Sequence, residues 1–323
     1  MTSVLILLGS SNRNQYGDGL RKTFPELTVN VIDHVGKADP YVSTVDILIT
    51  HGPYLADQAD HLLRNAPKLK WIQGVGTGVD NITDRPALRD DIIVTNIHGV
   101  HGPQMSEAAL MAMLALSRQF PRTVQNQARR HWERWPARLI SGKTVGVLGV
   151  GAIAASLAPR CKAMGMRVIG ISSAVRQVAG FDEIRPRKDI LAAVRELDYL
   201  VVLTPYSPAT LNLVDGEVLG AMKPDSYLIN LARGGVVDEA ALLDKLRKRG
   251  IAGAALDVFV NEPLPTGHPF WSMDNVIVTC HQGSLHDGSS RQNLPIIEEN
   301  MRRFLAGDTA NMLNVVRPAP APA

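Results

Sequence analysis

Short apolar runs alternate with helix-length amphipathic stretches along most of this 323-residue chain. "SVLILLG" (3–9), "LTVNVID" (27–33), "VDILIT" (45–50), "KWIQGVG" (70–76) and "IIVTNI" (92–97) predict strands. Helices or loops separate them, such as "ADQADHLLRNAP" (56–67). Apolar runs of this length, bounded by turn residues and alternating with helical pattern, predict a parallel sheet covered by helices on both faces. "SEAALMAMLALSRQF" (106–120) predicts a long helix that Pro121 breaks, because the proline ring removes a donor and clashes with the preceding turn. A basic, Trp-containing segment (122–142) leads into a second series of strands: "TVGVLGV" (144–150), "MRVIGIS" (166–172), "YLVVLTP" (199–205), "SYLINLA" (226–232), "GAALDVF" (253–259) and "NVIVTCH" (275–281). Two α/β units follow from this. The helical segment 289–307 has no strand of its own, so it is expected to pack back on the first unit. The last seven residues, "RPAPAPA" (317–323), predict a disordered tail.

Composition narrows the functional classes. With 45% hydrophobic residues and mean hydropathy near zero, the chain can bury a core. The net charge is only +3 and the basic residues are scattered, which argues against a nucleic-acid partner. The longest basic cluster, "DKLRKRG" (244–250), reads as a helix C-terminus closed by Gly250. Cys161 and Cys280 cannot form a disulfide framework, and the apolar N-terminal run is too short to span a bilayer. A cytoplasmic protein without a membrane partner is expected. No ligand spacing for a metal is evident.

Gly149, Gly151 and Ala154 form G-x-G-x-x-A directly after the strand "TVGVLG", ahead of a helical segment and a further strand. In that context the motif predicts a dinucleotide site. Gly149 suits the tight turn, Gly151 lets the backbone approach a pyrophosphate, and Ala154 allows the helix to lie close on the sheet. The helix N-terminus offers amides and positive dipole to the phosphates. Where the next strand ends, an NAD site usually has a carboxylate for the ribose hydroxyls. Here Ser172 and Ser173 stand instead, with Arg176 close behind. Hydroxyls and an arginine accept a 2′-phosphate that a carboxylate would repel, so NADP(H) is the expected preference, with NAD(H) as the alternative.

Downstream, polar residues follow three apolar strands: Arg233 in "NLARGG", Asp257 and Glu262 in "ALDVFVNEP", and His281 in "VIVTCHQG". Open α/β sheets hold ligands at these carboxyl ends. One cation, two carboxylates and an imidazole can make an anion anchor and a proton donor with its orienting acid. Each alone has a bland alternative, since a turn arginine or a surface glutamate is commonplace. Cys280 beside His281 is not expected to act with it, because neighbours on a strand point to opposite faces.

Taken together with "GVGTGVDNI" (74–82) and "NIHGVHGPQMSEAAL" (96–110), these segments resemble the D-isomer-specific 2-hydroxyacid dehydrogenases, in order and approximate spacing, over roughly residues 45–300. The resemblance implies two Rossmann-like doubly wound domains. A dinucleotide-binding domain (99–287) would be inserted into a discontinuous, flavodoxin-like substrate domain (1–98 and 288–323). It implies that His281 is the acid/base, that Glu262 bonds its other nitrogen and stabilises imidazolium, and that Arg233 binds the substrate carboxylate and polarises the carbonyl. The amides of Thr77 and Gly78 would form a second carboxylate clamp. On the cofactor side the resemblance places Ala152 and Ile153 at the pyrophosphate, and Thr204, Pro205 and Leu231 along the adenosine and ribose. Asp257 would contact the nicotinamide carboxamide.

Two departures stand out: Cys280 replaces the proline usual before the histidine, and "HQGSLHDGS" (281–289) differs from the commoner pattern. The expected substrate is a small 2-oxo acid, glyoxylate or hydroxypyruvate, partly because the chain has no room for the regulatory domain of many phosphoglycerate dehydrogenases. The alternatives are a bulkier or phosphoglycerate-like acid, or a corepressor-like dinucleotide sensor, which the lack of a long interaction tail disfavours. "HWERW" (131–135) lies where relatives place dimer contacts, so a homodimer is expected.

Overall fold

The computed structural model describes residues 1–55 and 58–318. The chain splits into two compact units, Met1–Val100 with His286–Ala323, and His101–Leu285.

In the first unit, strands β1 (Ser3–Leu7), β2 (Thr28–Ile32), β3 (Ile47–Thr50), β4 (Trp71–Gly74) and β5 (Ile93–Thr95) pair in parallel in the order β2-β1-β3-β4-β5. This is the flavodoxin-like order. All five residues of β1 and all four of β3 are buried, as strands covered on both faces must be. The helix Ser289–Leu305 returns to this unit, where Asn293 Nδ2 donates to the Tyr16 hydroxyl (3.0 Å) and Thr23 Oγ1 donates to Glu298 (2.9 Å). A buried polar chain fastens it further. Trp71 Nε1 donates to Thr95 Oγ1 (2.8 Å), which donates to Gln73 Oε1 (2.8 Å), and that oxygen also accepts from Asn300 Nδ2 (3.1 Å). With each member satisfied, such a network fixes one register for the returning helix.

In the second unit, β6 (Thr144–Leu148), β7 (Arg167–Ser172), β8 (Glu183–Pro186), β9 (Tyr199–Val202), β10 (Tyr227–Asn230), β11 (Gly253–Leu256) and β12 (Val276–Val278) form a sheet ordered β12-β11-β10-β9-β6-β7-β8. Its pairs are all parallel. Six of the strands follow the Rossmann order, with β12 added at one edge. Hydrophobic clusters cover both faces, one with Leu200, Leu228 and Leu256, the other with Val147, Val201 and Ile229. The helix Gly102–Ser117 lies on the helix Ala152–Ala163, close enough that a Cβ at Gly102 would stand 2.8 Å from Ser156 Cβ.

Several local expectations change. The long helix spans Gly102–Ser117 rather than 106–120, and Pro121 opens a second helix, Phe120–Ala128, instead of only ending the first. Gln119, with φ +51°, makes the turn between them, and a first-turn proline loses no hydrogen bond. β8 carries no apolar pattern. It is a charged edge strand whose Arg185 pairs with Glu183 (2.7 Å) and Glu196 (2.9 Å). Arg317 does not belong to a tail: it lies in β13 (Val315–Arg317), antiparallel to β5, and its guanidinium bonds Asp90. Residues 319–323 of the expected tail, and 56–57 of the expected helix, lie outside the described residues. At the end of helix Glu239–Arg247 the left-handed residue is Arg249 (φ +54°), not Gly250. Arg249 N donates to Leu246 O (3.1 Å) and Gly250 N to Lys245 O (2.9 Å), the pair of bonds of a Schellman cap.

Candidate active site

The glycine turn after β6 separates a glycine that the fold requires from one that it does not. Gly149 has φ +100°, and a Cβ there would lie 2.7 Å from the Thr204 amide nitrogen and 2.8 Å from its Cα. Both the backbone conformation and the close approach to β9's exit demand glycine. Gly151 is extended (φ −108°), and a Cβ added to it meets no heavy atom within 4 Å. It opens the helix Ala152–Ala163, which has no side-chain cap and no acidic residue in its first turn. Unclaimed amides, positive dipole and open space in front of Gly151 fit a pyrophosphate. Ala152 and Ile153 supply those amides, and Ala154 is fully buried against the sheet.

Around this turn, Ser172 ends β7 with its hydroxyl accepting from the Ala174 amide (3.3 Å), and Ser173 is exposed beside it. Arg176 lies over the turn, its Nη2 donating to the Val150 carbonyl (2.8 Å). Thr204 is buried behind Gly149, and exposed Pro205 accepts at its carbonyl from Thr210 Oγ1 (2.7 Å). Leu231 is buried just beyond β10. Thr204 and Arg176 thus touch this turn, and no carboxylate stands at the end of β7.

The second cluster of the same unit is assembled by a backbone contact. Gly234 lies so close to Phe259 that a Cβ would fall 2.0 Å from the Phe259 carbonyl carbon. This draws the Arg233 turn onto the loop that carries Glu262. Glu262 Oε1 accepts from the Phe259 amide (2.9 Å), and Oε2 meets His281 Nδ1 at 2.6 Å. Burial acts to raise the Glu262 pKa, but it is outweighed by the His281 hydrogen bond and charge, the Phe259 amide and the Arg233 charge. The carboxyl is therefore held below the ordinary glutamate value. An ionised Glu262 keeps the proton on Nδ1 of the imidazole.

His281 is not the last residue of a strand. β12 stops at Val278, and His281 has φ +48°, in the left-handed region. The strand-alternation argument about Cys280 therefore does not apply, although the exposed Cys280 has no described partner. Asp257 holds the strained segment. Its carbonyl accepts from the His281 amide (2.7 Å), and its buried carboxylate accepts from Thr279 Oγ1, Gln282 N (3.0 Å) and Gly283 N (2.9 Å). Sequence patterning gives no signal for Thr279, Gln282 and Gly283, because their part is to hold a backbone. Only Gly283 hints at it, since a Cβ there would stand 2.9 Å from Asp257 Oδ2.

Thr77 and Gly78 belong to the first unit, in the loop after β4. The loop's carbonyls are occupied: Val75 O accepts from Asn293 Nδ2 (3.1 Å), Gly76 O from Ile97 N (3.1 Å) and Thr77 O from Asn96 Nδ2 (2.7 Å). The amides of Gly76, Thr77 and Gly78 donate to no protein acceptor among the described residues. Among the described residues no metal-binding cluster is present, and no helix is long and apolar enough to cross a membrane.

Two α/β sheets, a dinucleotide turn and a partly exposed Arg–Glu–His cluster define an oxidoreductase of the nicotinamide type. The chain belongs to the D-isomer-specific 2-hydroxyacid dehydrogenases: the family model described as "D-isomer specific 2-hydroxyacid dehydrogenase, NAD binding domain" matches residues 110–283. A glyoxylate reductase of Pyrococcus horikoshii is 32% identical over 280 residues, 83% of this chain and 82% of that one. A D-3-phosphoglycerate dehydrogenase of Methanocaldococcus jannaschii is 34% identical over 258 residues, covering 79% of this chain but 49% of that protein. The chain thus spans about half the length of that phosphoglycerate dehydrogenase. Among solved structures, an NADPH-dependent glyoxylate/hydroxypyruvate reductase from Sinorhizobium meliloti, in complex with NADP and sulfate, superimposes with a TM-score of 0.81 at 27% identity, covering 98% of each chain.

Proposed function

We propose that the protein reduces small 2-oxo acids, glyoxylate and hydroxypyruvate, to D-2-hydroxy acids with NADP(H) as the preferred dinucleotide. The observation that carries this reading is the 2.6 Å pair of His281 and Glu262, with the Arg233 charge acting on the same carboxylate. A nicotinamide cofactor, when bound, supplies the hydride. His281 Nε2 gives its proton to the carbonyl oxygen in this direction and takes the hydroxyl proton in the other. Glu262 fixes the tautomer and stabilises the imidazolium, help worth about 10²–10⁴-fold in acid–base catalysis. Arg233 binds the substrate carboxylate and polarises the carbonyl, a planar two-pronged task unsuited to lysine. The amides of Thr77 and Gly78 would serve as further donors to the substrate carboxylate.

Preference for NADP(H) is supported by the hydroxyls of Ser172 and Ser173 where a carboxylate would stand, and by Arg176 held over the turn. Ala152, Ile153, Thr204, Pro205 and Leu231 would line the dinucleotide, and Asp257 would serve it by holding the His281 segment. Met111, Phe120, Trp132 and Leu139, all large, apolar and exposed, lie on and beyond the helices 102–128, and their exposure supports homodimerisation. Two unpaired cysteines support a cytoplasmic setting.

The test is kcat/KM with NADPH and NADH against glyoxylate, hydroxypyruvate, phenylpyruvate and 3-phosphohydroxypyruvate. The expected result is highest for NADPH with the first two, and Ser172→Asp should shift preference toward NADH. Absence of turnover with every one of these acids would overturn the reading.

A further inference from the structure

Glu262 is carried by a stretch of chain without helix or strand, between the end of β11 and the one-turn helix Pro269–Ser272. Side chains, not a backbone ladder, must therefore hold it. Within the loop, Pro265 O accepts from His268 N (2.9 Å) and from Trp271 Nε1 (2.9 Å). The two limbs meet where the buried rings of Phe259 and Phe270 pack at 6.3 Å between centroids.

A further tie comes from outside the loop. Glu239 is the first residue of the helix Glu239–Arg247, just beyond the Arg233 turn, and its side chain is largely covered. Oε2 of Glu239 accepts from the Val260 amide (3.2 Å), and Oε1 faces His268 Nε2 at 3.5 Å. His268 Nδ1 accepts from the Phe270 amide (3.3 Å), so the ring carries its proton on Nε2, the nitrogen turned to Glu239. The same ring packs on Phe270 at 4.7 Å. One carboxylate thus grips the loop on both sides of Glu262, at residue 260 and at residue 268. The apolar contact of Phe259 with Phe270 draws the limbs together without direction, whereas hydrogen bonds to a carboxylate fix where each limb lies.

From this placement we propose that Glu239 is a positioning residue for the reaction. By holding Val260 and His268 it sets the loop so that the Glu262 carboxylate meets His281 Nδ1 at 2.6 Å. The inference rests on the proposed function, because it takes Glu262 to act through His281. The Phe259 amide aims the Glu262 carboxylate within the loop, and Glu239 aims the loop itself. A loop released from Glu239 keeps its apolar contact but loses its register, and small misplacements at a reacting centre are costly.

The experiment is a double-mutant cycle in the full-length protein, pairing Glu239→Ala with Glu262→Gln. It reads kcat and KM with hydroxypyruvate and glyoxylate, together with dinucleotide affinity. Glu239→Ala is expected to lower kcat by about 10–100-fold and to leave dinucleotide affinity unchanged. In the Glu262→Gln background the same substitution should lower kcat by less than about twofold, because the group that Glu239 positions is already lost. Glu239→Gln keeps an acceptor for the Val260 amide and is expected to retain most of kcat. His268→Phe, which keeps a ring on Phe270 but drops the nitrogen facing Glu239, enters the same cycle with a smaller loss of the same kind. If Glu239→Ala lowers kcat by one factor in both backgrounds, or leaves it unchanged, the role assigned to Glu239 is wrong while the proposed reaction stands. If the unaltered protein turns over neither acid, the proposed reaction fails and the positioning role with it.

Discussion

The two α/β units start alike and diverge at the first turn. In each, the first strand of the sheet is buried and parallel and is followed closely by glycine: Gly9 after β1, Gly149 after β6. In the first unit the space over that glycine is taken by the Tyr54 ring, and Arg13 Nη1 closes on the Ser10 carbonyl at 3.1 Å. In the second unit Gly149 packs against backbone, and the space ahead of Gly151 stays open. Strand order alone offers both units a crevice at the switch point. What occupies the crevice decides which one takes a dinucleotide, so ligand capacity belongs to side chains grafted on the fold.

Four experiments would break or sharpen that contrast. The largest effect is expected for His281→Ala, which should lower kcat by about 10²–10⁴-fold. Dinucleotide titration should be retained, because the turn and the acid/base are separate clusters of one unit; unchanged kcat would remove His281 from the chemistry. Next comes a matched pair. Gly149→Ala, strained at φ +100° against Thr204 backbone, should cost about 2–3 kcal/mol of unfolding free energy. Gly9→Ala meets only the movable Tyr54 ring and should cost about 1 kcal/mol or less. Equal losses in denaturant titrations would erase the distinction between the two turns. A smaller effect is expected for Gly151→Ala. Its Cβ meets no protein atom, so Tm should hardly move, whereas dinucleotide affinity should drop by about tenfold, about 1.4 kcal/mol. Unaltered affinity would mean that no phosphate approaches Gly151.

The smallest effect concerns Glu262. Its pKa is lowered by folding, so its stabilising contribution is complete above the unfolded-state value, about 4.3, and is lost as pH falls through the lower folded value. The Tm difference between the protein and Glu262→Gln should therefore be greatest near neutral pH and shrink below about pH 4. A difference independent of pH would show that Glu262 contributes by packing and not by charge.

The fold was legible in the sequence wherever burial is two-sided. β1, β3, β6, β9 and β10 read directly, because continuous apolar runs have few other uses in a chain of this composition. β8 and β13 were not legible: both lie near sheet edges, and β8 holds its place by Arg185, Glu183 and Glu196 rather than by apolar pattern. At the site, the glycine turn and the residues Arg233, Glu262 and His281 could be picked out because each follows an apolar strand. What linked them could not. The Gly234 approach to Phe259, and the four bonds that Asp257 accepts through its carbonyl and carboxylate from the 279–283 segment, depend on how distant loops meet, which the order of residues does not encode.

Those four bonds bear on how the protein ages and warms. His281 occupies a left-handed conformation that a non-glycine residue does not choose unaided, and Cys280 before it lacks the fixed φ of a proline. The backbone that carries the imidazole is therefore kept in position largely by a short latch on one residue, Asp257. Latches of this size open locally at a free energy well below that of unfolding the sheet. Heat would displace the imidazole while the sheet beneath it was still intact, and cooling would restore it by re-forming four hydrogen bonds instead of refolding a domain.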